Sequence, residues 1–212
     1  MLGKTHFFIG ISAALAVLQP QTVPEMVIGI GAATVGSVIS DIDSGSSHAH
    51  READKVMTAT ISVIALMLLL EYRFHLGLYE RLMKNSNMMR VIGGGILFLL
   101  ICSYGKGQPH RSFMHSLVAM FMLTCCVDII YPAAAPYFAV AFLSHLVLDM
   151  LNYKKVKIFW PLKKGYSLRV CSASGTVNRV LLWVGPFIIA LEVALSAPAL
   201  RLFQKIMLYR PM

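Results

Sequence analysis

The chain has 212 residues, of which 57% are hydrophobic and only 14% charged, against about 25% charged in ordinary soluble domains. That balance argues against a soluble protein and makes the bilayer the expected solvent. The net charge of +9 lies in short basic segments between apolar runs, where it reads as a set of membrane-orientation signals and not as a nucleic-acid-binding stripe. No nucleic-acid partner is expected.

Nothing in the chain resembles a linker or an internal repeat, so residues 1–212 are expected to form a single integral-membrane domain. The four cysteines, Cys102, Cys125, Cys126 and Cys171, form no CxxC pair. They predict neither a disulfide framework nor a thiolate metal site.

Apolar runs occur near 5–19, 26–40, 56–70, 88–104, 113–131, 136–151 and 180–197. The first, preceded by Lys4, imitates a secretory signal, but Gln19-Pro20-Gln21 follows where a cleavage site needs small residues. It is expected to stay as a helix. The second carries Gly29, Gly31, Ala32, Ala33, Gly36 and Ser37, small residues that allow close helix approach in lipid, and Gly93-Gly94-Gly95 opens the fourth in similar fashion. Most runs are shorter than the roughly 20 residues a spanning helix requires, so some must extend into their flanks, tilt or stay buried against neighbours. The predicted fold is all-α: a polytopic transmembrane bundle of about five to seven helices.

With seven spans, the N-terminus and the loops 41–55, 105–112 and 152–179 share one face, while 20–25, 71–87, 132–135 and the C-terminus share the other. Most basic residues, among them Lys4, Arg111, Lys154, Lys155, Lys157 and Arg179, fall on the first face. Arg73, Arg81, Lys84 and Arg90 lie on the second. The positive-inside rule makes the first face cytoplasmic, in a cell inner membrane.

On that same face lie His6, Asp41, Asp43, His48, His50, His110, His115, His145 and Asp149. Only His75 lies opposite. His145 and Asp149 stand at i and i+4 on one side of an otherwise apolar helix, able to grip one ion together. Ionisable residues inside membrane helices are costly and usually functional, although a hydrogen-bonded His–Asp pair tying two helices is the alternative. Asp41 and Asp43 form a DxD at the mouth of the second helix, which alone is equally compatible with a solvated turn. His110 and His115, five residues apart, do not share one stripe of a helix, so His110 must reach the site from the loop. Arg111 offers a planar fork for a phosphate or carboxylate, or serves as a positive-inside anchor. His48 and His50 read as solvated loop residues, and Asp128 as an interface residue.

Taken together, His6, VISDIDS at 38–44, HRSFMHS at 110–116, and FLSHLVLDMLN at 142–152 followed by IFWP at 158–161 resemble the membrane-bound metal-dependent hydrolase family of LexA-regulated, YdjM-like inner-membrane proteins. The resemblance covers about three quarters of the chain. It implies a helical membrane protein with a metal-supported hydrolytic site, and carried over residue by residue it selects His6, Asp41, Asp43, His110, His115, His145 and Asp149. The chain departs from the family pattern at Ser40, Met114, Asn152 and Asn178.

Mixed imidazole and carboxylate ligation suits zinc first and manganese or iron next. The expected ligands are His6, Asp41, Asp43, His115, His145 and Asp149. Asp41 or Asp43 is the candidate general base, with His110 and Arg111 beside it. Arg111, Lys154 and Lys155 are placed to hold an anionic head group, which favours a membrane lipid or lipid-like phosphoester as substrate. No HExxH is present, which speaks against a zinc protease. Two other classes remain in view: an ion transporter or channel using the same residues as a relay, and a catalytically silent membrane scaffold.

Overall fold

In lipid every backbone N–H and C=O must find its partner within the protein, a demand a single segment meets only as a helix. The computed structural model describes residues 3–45, 69, 73, 86–172 and 175–208. Among them are seven α-helices and no strand: α1 (Gly3–Leu18), α2 (Val23–Val38), α3 (Ser86–Lys106), α4 (Leu117–Ile130), α5 (Ala135–Met150), α6 (Thr176–Leu195) and α7 (Ala197–Leu208). Four segments are long and apolar enough to cross a membrane: Val23–Asp43, Ser86–Lys106, Pro132–Met150 and Thr176–Leu195. α1 and α4 are apolar but shorter. The apolar run at 56–70 lies almost wholly outside the described residues, as do His48, His50 and His75.

Local chemistry sets the helix ends. α1 stops where Gln19 turns to a left-handed φ of 46° ahead of Pro20. α2 starts at Thr22, whose hydroxyl accepts from the Glu25 N–H at 3.3 Å, while Glu25 reaches back to the Gln21 N–H at 2.8 Å, a variant of the capping box. The run expected at 113–131 divides into a 3-10 turn at Phe113–His115 and α4, because the Ser116 hydroxyl caps α4 by accepting from the Ala119 N–H at 3.1 Å. The last run, expected over 180–197, forms α6, and a further helix that the sequence reading did not include, α7, follows it. Pro198 has no N–H to continue α6, and Ser196 adopts an extended backbone and caps α7 through Ala199 at 3.4 Å.

α5 is the central helix. On one side it packs with α1 and α2 through Ile11, Ala14, Leu15, Ala33, Tyr137 and Ala141. On the other, Phe138, Phe142 and Leu146 join α3 and α4 through Cys102, Leu123 and Cys126. Small residues bring these helices together. A side chain at Gly10 of α1 would collide with Ser37 of α2, and one at Gly36 of α2 would collide with the Phe138 carbonyl of α5. Gly31, by contrast, faces open space. In the triple glycine of α3 only Gly94 is used, against Cys126, Ile129 and Ile130 of α4.

The segment after α5 folds back over the start of α4. Val156 pairs with Tyr166 and Asn152 with Cys171. The Lys157 N–H donates to the Arg111 carbonyl at 3.1 Å and the Leu117 N–H to the Ile158 carbonyl at 3.0 Å. Trp160 sits edge-on to Phe113 at 5.1 Å. The IFWP motif is thus a clasp on the loop that carries His110 and His115.

Candidate metal centre

Four segments end at the same place. His6 lies in the first turns of α1, Asp41 and Asp43 in a 3-10 turn (Ile39–Asp43) that extends α2, His115 in the turn before α4, and His145 with Asp149 one helical turn apart at the end of α5. His115 and His145 are completely buried, and His6 and Asp149 are nearly so. Leaving that many polar groups unpaired in an apolar interior would be costly, so what each atom faces matters.

His145 is fixed from behind. Its Nδ1–H donates to the Ser37 carbonyl at 2.7 Å, leaving the lone pair on Nε2. That Nε2 is buried, has no hydrogen-bond partner, and lies 3.7 Å from Asp41 Oδ1. His115 follows the same logic. Its Nδ1–H donates to Asp43 Oδ2 at 3.1 Å, and its buried Nε2, which forms no well-directed hydrogen bond, faces Asp149 Oδ2 at 3.3 Å and Asp41 Oδ1 at 3.8 Å. His6 stacks on His145 with ring centroids 3.9 Å apart and points Nε2 at Asp149 Oδ1, 3.4 Å away. Two triads, His6–His145–Asp149 and Asp41–His115–His145, have donor atoms close enough to share a cation. The backbone carbonyl behind His145 and the carboxylate behind His115 are the arrangement that orients histidines on metals.

Charge points the same way. The Arg111 guanidinium reaches Asp149, and around the imidazoles stand three carboxylates, those of Asp41, Asp43 and Asp149. A divalent cation would neutralise them, and the orphaned Nε2 atoms would be its nitrogen ligands. For His115, burial alone would push the pKa down. Its contacts with Asp149, Asp41 and Asp43 outweigh burial and hold it well above the ordinary histidine value.

Asp43 differs from the other carboxylates. A third triad, Asp43–His110–His115, also has the spacing for a cation, but its atoms are already paired with one another. Asp43 Oδ1 accepts from His110 Nδ1 at 2.7 Å, and Oδ2 accepts from the Arg111 N–H at 3.0 Å as well as from His115. Arg111, expected to face a substrate, is turned inward. Its backbone sits at φ 64°, and its guanidinium donates to Asp149 Oδ1 at 3.1 Å and to the Lys154 carbonyl at 2.9 Å. Lys154 and Lys155 are exposed beside the cage. His110, 40% exposed, and Asp41, 21% exposed, form its open side. The supporting role of the Ser37 carbonyl carries no sequence signal, because any residue would provide it. Ser40, Met114, Asn152 and Asn178, the departures from the family pattern, are all buried.

The model of the YdjM inner membrane protein family matches residues 1–208. The chain belongs to the YdjM inner membrane protein family. The match takes in all four motif segments, from His6 to the segment after α5, so the residues that build the cage all lie within the YdjM-matched region. No curated protein and no solved structure matches the chain significantly.

Proposed function

We propose that this protein is a membrane-embedded metal-dependent hydrolase that cleaves an ester or phosphoester of a lipid-like substrate at the cytoplasmic face of the inner membrane. The observation that carries this reading is the pair of buried imidazole nitrogens, Nε2 of His115 and His145, which have no hydrogen-bond partner and converge on Asp41. His6 and Asp149 complete the ligand set. Zinc suits it best, with manganese or iron next.

When bound, the cation supplies an acidified water and polarises the bond to be cut. The residues of the chain do the remainder. Asp41, on the open side of the cage, accepts the proton of the attacking water. His110, held through Nδ1 by Asp43, presents its other nitrogen to the exterior and passes a proton to the leaving oxygen. Arg111 keeps Asp149 in place, while Lys154 and Lys155 attract an anionic head group. A transport relay would need ionisable groups along the membrane path, whereas these lie at one end of the bundle.

The test is the metal content of the purified protein, with His145→Ala and Asp149→Ala beside it. The wild type should carry a divalent transition metal that both variants lose, and phosphoester-lipid turnover should vanish with it. Equal metal in wild type and variants would remove the proposal.

A further inference from the structure

The opposite end of the bundle holds an ionisable group that the metal centre does not use. Glu192 lies within the apolar α6, where a carboxylate is costly unless it has a task. Its Oε1 accepts from the Ser12 hydroxyl of α1 at 2.9 Å, while its Oε2 is buried without a hydrogen-bond partner. Beside it is a cavity of about 580 Å³ between the ends of α1 and α6 and the starts of α2 and α7, within the size of ligand sites, roughly 300–1,000 Å³. Leu15, in the cavity wall, is about 14 Å from His6 along α1 at the rise of an α-helix. The two sites are separate.

We propose that this cavity binds the primary ammonium head group of a membrane phospholipid, with Glu192 as its counter-ion. The polar lining selects for donors. The Gln19 and Gln21 amide nitrogens are turned onto the carbonyls of Ala16 and Gln19, and the Ser196 hydroxyl donates to Val193 at 2.7 Å. What remains for a ligand is chiefly oxygen: the carboxylate of Glu192, one of the lining residues, and the amide carbonyls. A group with several N–H donors and a positive charge satisfies them, and an anion does not. Glu25, at the start of α2, is already taken by the Gln21 N–H and the Tyr137 hydroxyl.

The mouth of the cavity identifies the source of the ligand. Leu191, Leu195 and Leu200 line it and are also among the exposed apolar side chains, so the opening meets acyl chains. Arg201, one residue beyond the lining, reaches the Gln21 carbonyl at 3.5 Å and stands ready for the lipid phosphate. An ammonium next to a phosphate is the head group of phosphatidylethanolamine. Phosphatidylcholine has the charge without the N–H donors, and phosphatidylglycerol lacks the cation.

The full-length protein, equilibrated with mixed micelles holding equal amounts of these three lipids and then repurified, should retain phosphatidylethanolamine several-fold over the other two. Glu192→Gln should reduce its retention to the phosphatidylcholine level while leaving metal content at the far site unchanged. Retention of phosphatidylcholine or phosphatidylglycerol equal to that of phosphatidylethanolamine overturns the proposal, as does full preference in Glu192→Gln. The three-lipid comparison in the wild type decides the matter even if the variant fails to insert.

Discussion

His115 has a carboxylate facing each of its ring nitrogens, which makes it the most sensitive residue of the cage. Asp43 takes Nδ1–H and leaves Nε2 directed at Asp41 and Asp149. Those carboxylates raise its pKa, so a proton competes with the metal for its Nε2. Metal affinity therefore rises with pH, by about tenfold per unit below the His115 pKa if one proton is released. Calorimetric titration of the chelated protein with zinc at several pH values should give that slope. In the same experiment Asp43→Asn, which loosens the orientation of His115 without removing a ligand, should weaken binding roughly 10–100-fold. Unchanged affinity would make Asp43 a bystander.

At the scale of elements, the centre depends on three helices approaching more closely than ordinary side chains permit. Gly36 lets α2 rest on the backbone of α5, so Asp41 and Asp43 come within reach of His145 and Asp149. Gly36→Ala forces the helices apart and should destabilise the protein by roughly 1–3 kcal/mol, the usual cost of overpacking, with a parallel loss of bound metal. Gly31→Ala, five residues earlier in open space, should do neither. Thermal unfolding in detergent with metal analysis separates the two variants. The small-residue stripe of α2 was legible in the sequence as a packing face. Which of its residues touch a neighbour was not, because rotation about the helix axis is set by α1 and α5.

Considered as a whole molecule, the cage ties the beginnings of α1 and α4 to the ends of α2 and α5, elements remote in sequence. A cation that binds only the folded protein stabilises it, by about 2.7 kcal/mol when present at a hundred times its dissociation constant. Chelation should accordingly lower the unfolding temperature of the wild type and leave that of His145→Ala, already without its site, where it was. A chelator that shifts both equally would be acting elsewhere.

The sequence by itself determined the membrane as solvent, the helical class and the gathering of His6, Asp41, Asp43, His110, His115, His145 and Asp149 at one end. Length and hydropathy of a run decide whether it forms an apolar helix, and chain order decides at which end its polar residues emerge. Only the tertiary structure decided the division of labour: Arg111 turned inward on Asp149, Asp43 enclosed by three donors, and Nε2 of His115 and His145 left bare. Those outcomes depend on distances of 3.1 and 2.7 Å between residues that lie 38 and 108 positions apart, and no local pattern encodes such distances.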